Sequence, residues 1–159
     1  LEFRRVLFRS YGVEGQVDYF FTDSEWSTGA NFNAIKSQTR VDGKWEKLTV
    51  DSASPSKMSA WVTWAPGDWT LRLQSTQTFD LSDEAGKHID GYNTVDLLGS
   101  YVLPVGKLSF SVENLLDEDY TTAWGQRAPG LYSPTYGAEN LYTYKGRGRT
   151  FGLNYSVLF

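Results

Sequence analysis

Along most of the chain apolar and polar residues alternate with a period of two, the spacing of a β-strand with one face covered differently from the other. In residues 11–21 the odd positions Tyr11, Val13, Gly15, Val17, Tyr19 and Phe21 oppose Glu14, Gln16 and Asp18. Trp26, Ala30, Phe32 and Ala34 oppose Ser27, Gly29, Asn31 and Asn33, with the pattern breaking at Ile35 and Lys36. Trp69, Leu71 and Leu73 oppose Thr70, Arg72 and Gln74, and Val95, Leu97, Tyr101 and Leu103 oppose Thr94, Asp96 and Ser100. Leu108, Phe110 and Val112 oppose Ser109, Ser111 and Glu113; the tail sets Phe151, Leu153, Tyr155, Val157 and Phe159 against Thr150, Gly152, Asn154 and Ser156. The stretch KMSAWVTWA is ambiguous, because Trp61 and Trp64 fall on opposite faces. The pattern predicts an all-β fold of about seven strands, with no stretch of helical periodicity.

The connections alternate in length. TDSE (22–25), PGD (66–68) and PVG (104–106) are brief and rich in turn formers, whereas roughly 41–56, 81–90 and 117–145 are long. Short links on one edge and long ones on the other predict an antiparallel up-and-down meander. Two architectures fit: a soluble sandwich whose apolar face lines a core, and an outer-membrane barrel whose apolar face meets lipid. Three features favour the barrel. Tyr19, Phe21, Trp26, Trp64, Trp69, Tyr101 and Phe159 crowd the short-turn edge, where an aromatic belt would sit. Short turns opposite long loops match the periplasmic and extracellular ends of such barrels, and the polar face carries Asn, Gln, Ser and Thr rather than Lys and Glu.

Composition narrows the chemistry. With 40% hydrophobic and 16% aromatic residues the chain is built to be ordered. A net charge of -4 gives no basic footprint for a nucleic-acid partner. There is no cysteine, and His88 is the one histidine, so thiolate or histidine metal sites and a Ser/His/Asp triad have no basis. No apolar run of about 18 residues predicts a transmembrane helix, which leaves a β-barrel open. The opening LEFRRVLFRS lacks Met and looks like adaptor or vector sequence, so residues 1–10 are set aside as a non-native segment and expected to match the sheet poorly.

Arg147 and Arg149 fall on the apolar face of the tail, where an arginine at the bilayer midplane would cost about 2–4 kcal/mol. Residues 151–159 are nine, about what a tilted strand needs to cross, so the arginines are expected beyond the hydrocarbon at the long-loop edge, in reach of lipid head-group phosphates. The other reading is a basic strand start in a soluble protein.

The tail TFGLNYSVLF resembles the last strand of TonB-dependent outer-membrane receptors, which end on an aromatic residue. SVENLLDEDYTTAW (111–124) is similar to their penultimate-strand signature, with Asn114, Leu115, Asp117 and Tyr120 in matching places. IDGYNTVDLLGSY, GVEGQVDY and SASPSKMSAWVTW resemble further strands, so the likeness runs through residues 11–159. Within the family, WGQRAPGLYSPTYGAENLYTYKGRGRTFGLNYSVLF is similar to ferric siderophore receptors of the aerobactin type. The resemblance implies the C-terminal part of a 22-stranded outer-membrane barrel in a Gram-negative bacterium. It further implies a plug domain and a TonB-binding motif in a missing N-terminal region, and an assembly signal in Tyr155, Val157 and Phe159 for the barrel-assembly machinery. The expected function is uptake of a ferric siderophore by a transporter rather than an enzyme, with iron only as cargo and no cofactor. A soluble carbohydrate-binding module and a simple diffusion porin are the alternatives.

In the long loop 117–145, Trp124, Arg127, Tyr132 and Tyr136, with Tyr142 and Tyr144, combine aromatic platforms with a cation, suited to an anionic ferric chelate. The competing reading is that these aromatics simply pack the loop. Asp80, Asp83, Glu84 and Asp90 around His88 lack the EF-hand spacing and read as a solvated loop rather than a metal site. Asp96, Glu113 and Arg72 are expected to pair within a lumen or to touch the plug.

Overall fold

The computed structural model describes residues 7–157, except for the side chain of Pro134. The main sheet of the described residues is antiparallel and has eight strands, seven of them following one another in chain order and an eighth, short one flanking the second. β1 (Phe8–Phe20) pairs with β2 (Trp26–Val41), whose far end also pairs with the short β3 (Lys44–Lys47). β4 (Lys57–Trp64) and β5 (Trp69–Thr78) follow, then a separate two-residue ladder of β6 (Leu81–Ser82) with β7 (His88–Ile89). β8 (Tyr92–Leu103) and β9 (Gly106–Glu113) continue the main sheet, and β10 (Thr150–Ser156) closes it against β9. The predicted meander and its alternation of short and long connections are both present.

Register puts all the apolar half-patterns on one face, since directly paired residues point the same way. Along one row Val17 pairs with Ala30, Ala30 with Ala60, and Ala60 with Ser75. Another row runs from Leu73 through Leu97 and Val112 to Phe151. This face is open: Leu153 is 76% and Phe151 73% exposed, so no layer of the described chain covers it. The opposite face carries Asp18, Asn31, Thr63, Arg72, Thr94, Ser109 and Asn154. At the short-turn edge of the apolar face the aromatics meet in pairs. Tyr19 lies edge-on to Phe21 at 5.0 Å, Trp26 stacks on Trp64 at 5.9 Å, and Trp69 lies 4.6 Å from Tyr101. Tyr155 extends the row by donating to the carbonyl of Val105 in the β8–β9 turn.

The register also settles Trp61. It belongs to the polar face, where its ring lies over Gly29 so closely that a Cβ there would stand 2.5 Å from the indole. The Arg72 guanidinium sits 5.3 Å above the same ring while its Nε donates to Thr63 at 3.0 Å. Of the two expectations for Arg72, Asp96 and Glu113, mutual ion pairing is not seen among the described residues: Arg72 is engaged by Trp61 and Thr63, and Asp96 accepts the Asn114 backbone N–H at 2.8 Å.

Three expectations need correction. Phe8, Arg9 and Ser10 are not a poor match to the sheet, because they extend β1 in register against Thr39, Gln38 and Ser37. Arg9 donates to Gln38 at 2.7 Å and covers the Trp45 ring at 4.2 Å, so strand pairing continues upstream of residue 11 although the apolar alternation does not: Arg9 falls on the apolar face and Phe8 on the polar one. The segment 41–56 is not wholly a loop: Asp42 and Gly43, with φ of 47° and 84°, form the tight turn of the β2–β3 hairpin. The segment 117–145 holds a 14-residue helix, α1 (Ala123–Tyr136), and a single 3₁₀ turn at Glu139–Leu141. Phe159 lies outside the described residues.

Candidate functional site

Buried apolar side chains are scarce in the sheet and concentrated in the long connections. Val50, Ala53, Ile89 and Ala128 are at most 5% exposed and come from three different segments: the β3–β4 link, β7 and α1. They make a small core at the long-loop edge, and polar side chains bind the segments around it. The Asp83 carboxylate accepts backbone N–H groups from Val50 at 3.2 Å, Ala85 at 3.0 Å and Lys87 at 3.0 Å. The Val50 hydrogen bond is the main cause holding its pKa below the ordinary carboxylate value. Lys87 pairs with Asp51 at 2.7 Å, which raises its own pKa. His88 meets Asp90 at 3.2 Å, and Asp80 accepts the N–H of Gly91 at 2.6 Å. The acidic side chains of this segment are thus turned to turn-building and pairing rather than gathered around one point.

The base of the third long segment is fixed by Asn114. It sits just past β9 with φ of 51°, a left-handed conformation that Asn tolerates better than most residues, and is 4% exposed. Its amide donates to the carbonyls of Glu118 at 2.9 Å and Arg147 at 3.0 Å, while its Oδ1 accepts the Glu118 N–H at 2.9 Å. Asp117 accepts the N–H of Arg149 at 2.8 Å. Two residues of the signature noted in the sequence therefore join the exit of β9 to the entry of β10. Tyr120, a third, stacks on Tyr92 at 4.3 Å and covers Gly146, where a Cβ would fall 2.0 Å from the ring. Burial is the first cause of the raised Tyr120 pKa, with Tyr92, Asp96 and Glu113 adding to it.

Helix α1 rises from this base. Thr122 caps it by accepting the Gly125 N–H at 3.0 Å, and Gly137 ends it with φ of 138°. One side of the helix brings three of the predicted residues together. Trp124 lies 6.2 Å and Tyr136 6.3 Å from Tyr132, and Tyr142 approaches the same ring at 5.7 Å. The Tyr142 hydroxyl donates to the Tyr136 carbonyl at 2.8 Å, tying the following turn back to the helix. Trp124 and Tyr136 remain 48% and 71% exposed, so the group is a platform open to solvent rather than a filled core.

Arg127 is not part of that platform. Its Nη2 donates to the Ala53 carbonyl, and Nε is buried with no partner among the described residues. Burial lowers its pKa, and nearby Asp51 partly offsets this. Arg147 and Arg149 are exposed and precede the first residue of β10. Arg147 lines a hollow with Thr94, Asp96, Glu113, Asn114 and Tyr120, which places that hollow at the polar side of the sheet. The sequence marks Asn114 as part of the signature but not as the anchor of the loop, and it gives no sign of Gln126 as a bridge to Asp90, since a lone amide carries no periodic signal.

Comparison with known proteins agrees with this geometry. Residues 8–115 match the family model described as TonB dependent receptor-like, beta-barrel. The chain is 66% identical over 151 residues to the ferric aerobactin receptors of Escherichia coli and Klebsiella pneumoniae, covering 95% of this chain and 21% of each relative. The rhizobactin receptor of Rhizobium meliloti (strain 1021) is 35% identical over 153 residues, covering 95% and 20%. The chain thus spans about a fifth of the length of these relatives. Among solved structures, the copper transporter OprC superposes with a TM-score of 0.68 at 24% identity, over 91% of this chain and 22% of that one, a likeness of fold. The family match to an antiparallel sheet with one apolar and one polar face leads to a plain conclusion: the chain belongs to the TonB-dependent receptor β-barrel family.

Proposed function

We propose that the protein is part of an outer-membrane receptor of a Gram-negative bacterium that takes up a ferric siderophore, of the aerobactin type, with energy delivered through the TonB complex. The observation that carries this reading is the 66% identity to two ferric aerobactin receptors over 95% of the chain, loops included. The sheet supports it physically. Its apolar face and aromatic edge suit a lipid surround, and its polar face suits an aqueous or plugged lumen. Iron enters as cargo within the chelate, the receptor needs no resident cofactor, and the protein is a transporter rather than an enzyme.

In this proposal the platform of Trp124, Tyr132 and Tyr136 takes the chelate by stacking and hydroxyl contacts. Arg127 is left out of direct contact, because its guanidinium is turned to Ala53. Arg149, and Arg147 where it clears the hollow, meet lipid head-group phosphates at the outer edge. Tyr155, Val157 and Phe159 serve as the segment read by the barrel-assembly machinery, and the plug and TonB-binding motif are contributed by sequence outside this chain.

The test is a chimera in which this chain replaces the matching 151-residue segment of the Escherichia coli ferric aerobactin receptor. In a receptor-null strain that makes no siderophore, it should restore iron-limited growth on ferric aerobactin, and only when TonB is present. A chimera that assembles in the outer membrane yet supports no growth would overturn the reading; growth without TonB would favour a diffusion pore.

A further inference from the structure

We infer that Gln126 and Arg127 are positioning residues that lock helix α1 to the two neighbouring long loops, so that three separate loops present the aromatic platform as one body. This rests on the proposed role of that platform in binding. The two residues are adjacent in sequence and reach different partners. Gln126 uses its side-chain amide as a peptide bond would be used in a ladder. Its Oε1 accepts the Asp90 N–H at 2.8 Å and its Nε2 donates to the Asp90 carbonyl at 2.9 Å, with a second donation to the Thr121 carbonyl at 3.0 Å. One side chain therefore joins the helix to the end of the β6–β7 segment and to its own base. Arg127 reaches the other way, to the Ala53 carbonyl in the β3–β4 link.

The two neighbouring loops are in turn joined without α1, through Asp83 to Val50 and Lys87 to Asp51. The contacts close a triangle of three segments, with Ile89, Val50, Ala53 and Ala128 buried inside it. Helix α1 needs such support. Pro129 and Pro134 remove two backbone donors from a 14-residue helix, and Gly125 and Gly130 weaken it further. Its outer aromatics meet one another and Tyr142 ring to ring on the exposed side, and the hydrogen bonds of Gln126 and Arg127 tie the helix to the neighbouring loops. If the latch opens and the competent arrangement is populated a tenth of the time, apparent affinity falls about tenfold without loss of any ligand contact.

The experiment uses the full-length chimeric receptor, with Gln126→Ala, Arg127→Ala, the double variant and Arg127→Lys, each checked for assembly by heat-modifiable migration. Hydrogen exchange followed by mass spectrometry should show either alanine variant speeding exchange by about tenfold or more in 123–136 and also in 50–54 and 88–91. Arg127→Lys, which keeps a donor for the Ala53 carbonyl, should restore most of the protection and also carries the test if an alanine variant fails to assemble. Ferric aerobactin affinity should fall about tenfold in each alanine variant, and the double variant should fall by less than the product of the two, as residues acting through one unit do. Exchange confined to α1, or unchanged everywhere, would overturn the inference. So would a Gln126→Ala receptor with full affinity beside an Arg127→Ala receptor with none, which would make Arg127 a direct ligand contact. If the parent chimera binds no ferric aerobactin while the exchange pattern appears as described, the functional reading fails and the latch stands.

Discussion

Replacing Asn114 with alanine should release the base of the 115–149 segment while leaving the sheet intact. The side chain makes three hydrogen bonds, at 2.9, 3.0 and 2.9 Å, from a position 4% exposed. Each is worth about 0.5–1.5 kcal/mol net, and the carbonyls of Glu118 and Arg147 would be left without that donor. Alanine also fits poorly at φ of 51°, a further cost of roughly 1–2 kcal/mol. The sum is about 3–6 kcal/mol, limited in practice by the free energy at which this segment opens on its own. Asn114→Gly separates the two parts, since glycine loses the same three bonds but accepts the backbone angle. The assay is hydrogen exchange in 115–121 and 144–149 of the full-length chimera. Alanine should lower protection there by at least a hundredfold, about 2.8 kcal/mol, and glycine by roughly a tenfold smaller factor. A loss below tenfold for alanine would refute the assignment of Asn114 as the anchor, and equal losses for alanine and glycine would refute the backbone part of the reasoning.

Leu153→Arg on the open apolar face should destabilise the barrel in lipid by about 2–4 kcal/mol, whereas Asn154→Arg on the polar face should be tolerated; urea titration of receptor refolded into vesicles compares them. Tyr132→Ala removes the ring that Trp124, Tyr136 and Tyr142 all approach, and should weaken ferric siderophore binding by roughly tenfold, while Tyr132→Phe stays within about threefold, as read by fluorescence quenching. Asp83 has a folded pKa below its ordinary value, so its contribution to loop order is fully present above about pH 3.9 and is lost as pH falls through the folded pKa. Protection factors in 48–56 and 83–88, taken against the intrinsic exchange rate at each pH, should therefore fall on acidification below that point, and Asp83→Asn should lower them at neutral pH and flatten the dependence.

The sheet was legible because it is set by a two-residue period and by turn chemistry, both local. Even the faces followed, and pairing needed only to assign Trp61 and Trp64, which no single strand could do. The Asp42–Gly43 turn is a local signal, but the strand after it, Lys44–Lys47, is only four residues long and carries a single apolar residue, Trp45, too little for a period to show. Helix α1 was hidden for a different reason. Pro129, Pro134 and three glycines between 125 and 137 all argue for a loop, and the helix stands because neighbouring segments hold it rather than because its residues favour it. The loop core was invisible too: Val50, Ala53, Ile89 and Ala128 are isolated in sequence and become a core only when three connections meet. Of the proposed site, the aromatic members were legible as a cluster of residue types, but the separation of Arg127 from them depends on a carbonyl 74 positions away.

That arrangement gives the molecule two solvents. The strands turn most of their leucines, phenylalanines and tryptophans to the open face, where a surrounding apolar medium must cover them, while the long connections bury Val50, Ala53, Ile89 and Ala128 by excluding water. Bilayer thickness and lipid composition should therefore act on the sheet and leave the loop core alone. Chaotropes and acid should loosen the loops while the strands persist. The same division bears on how such a surface can vary. A change of one long connection leaves Asp83, Gln126 or Arg127 reaching for a backbone that has moved, so the long connections of this scaffold are exchangeable as a matched set and poorly exchangeable one at a time.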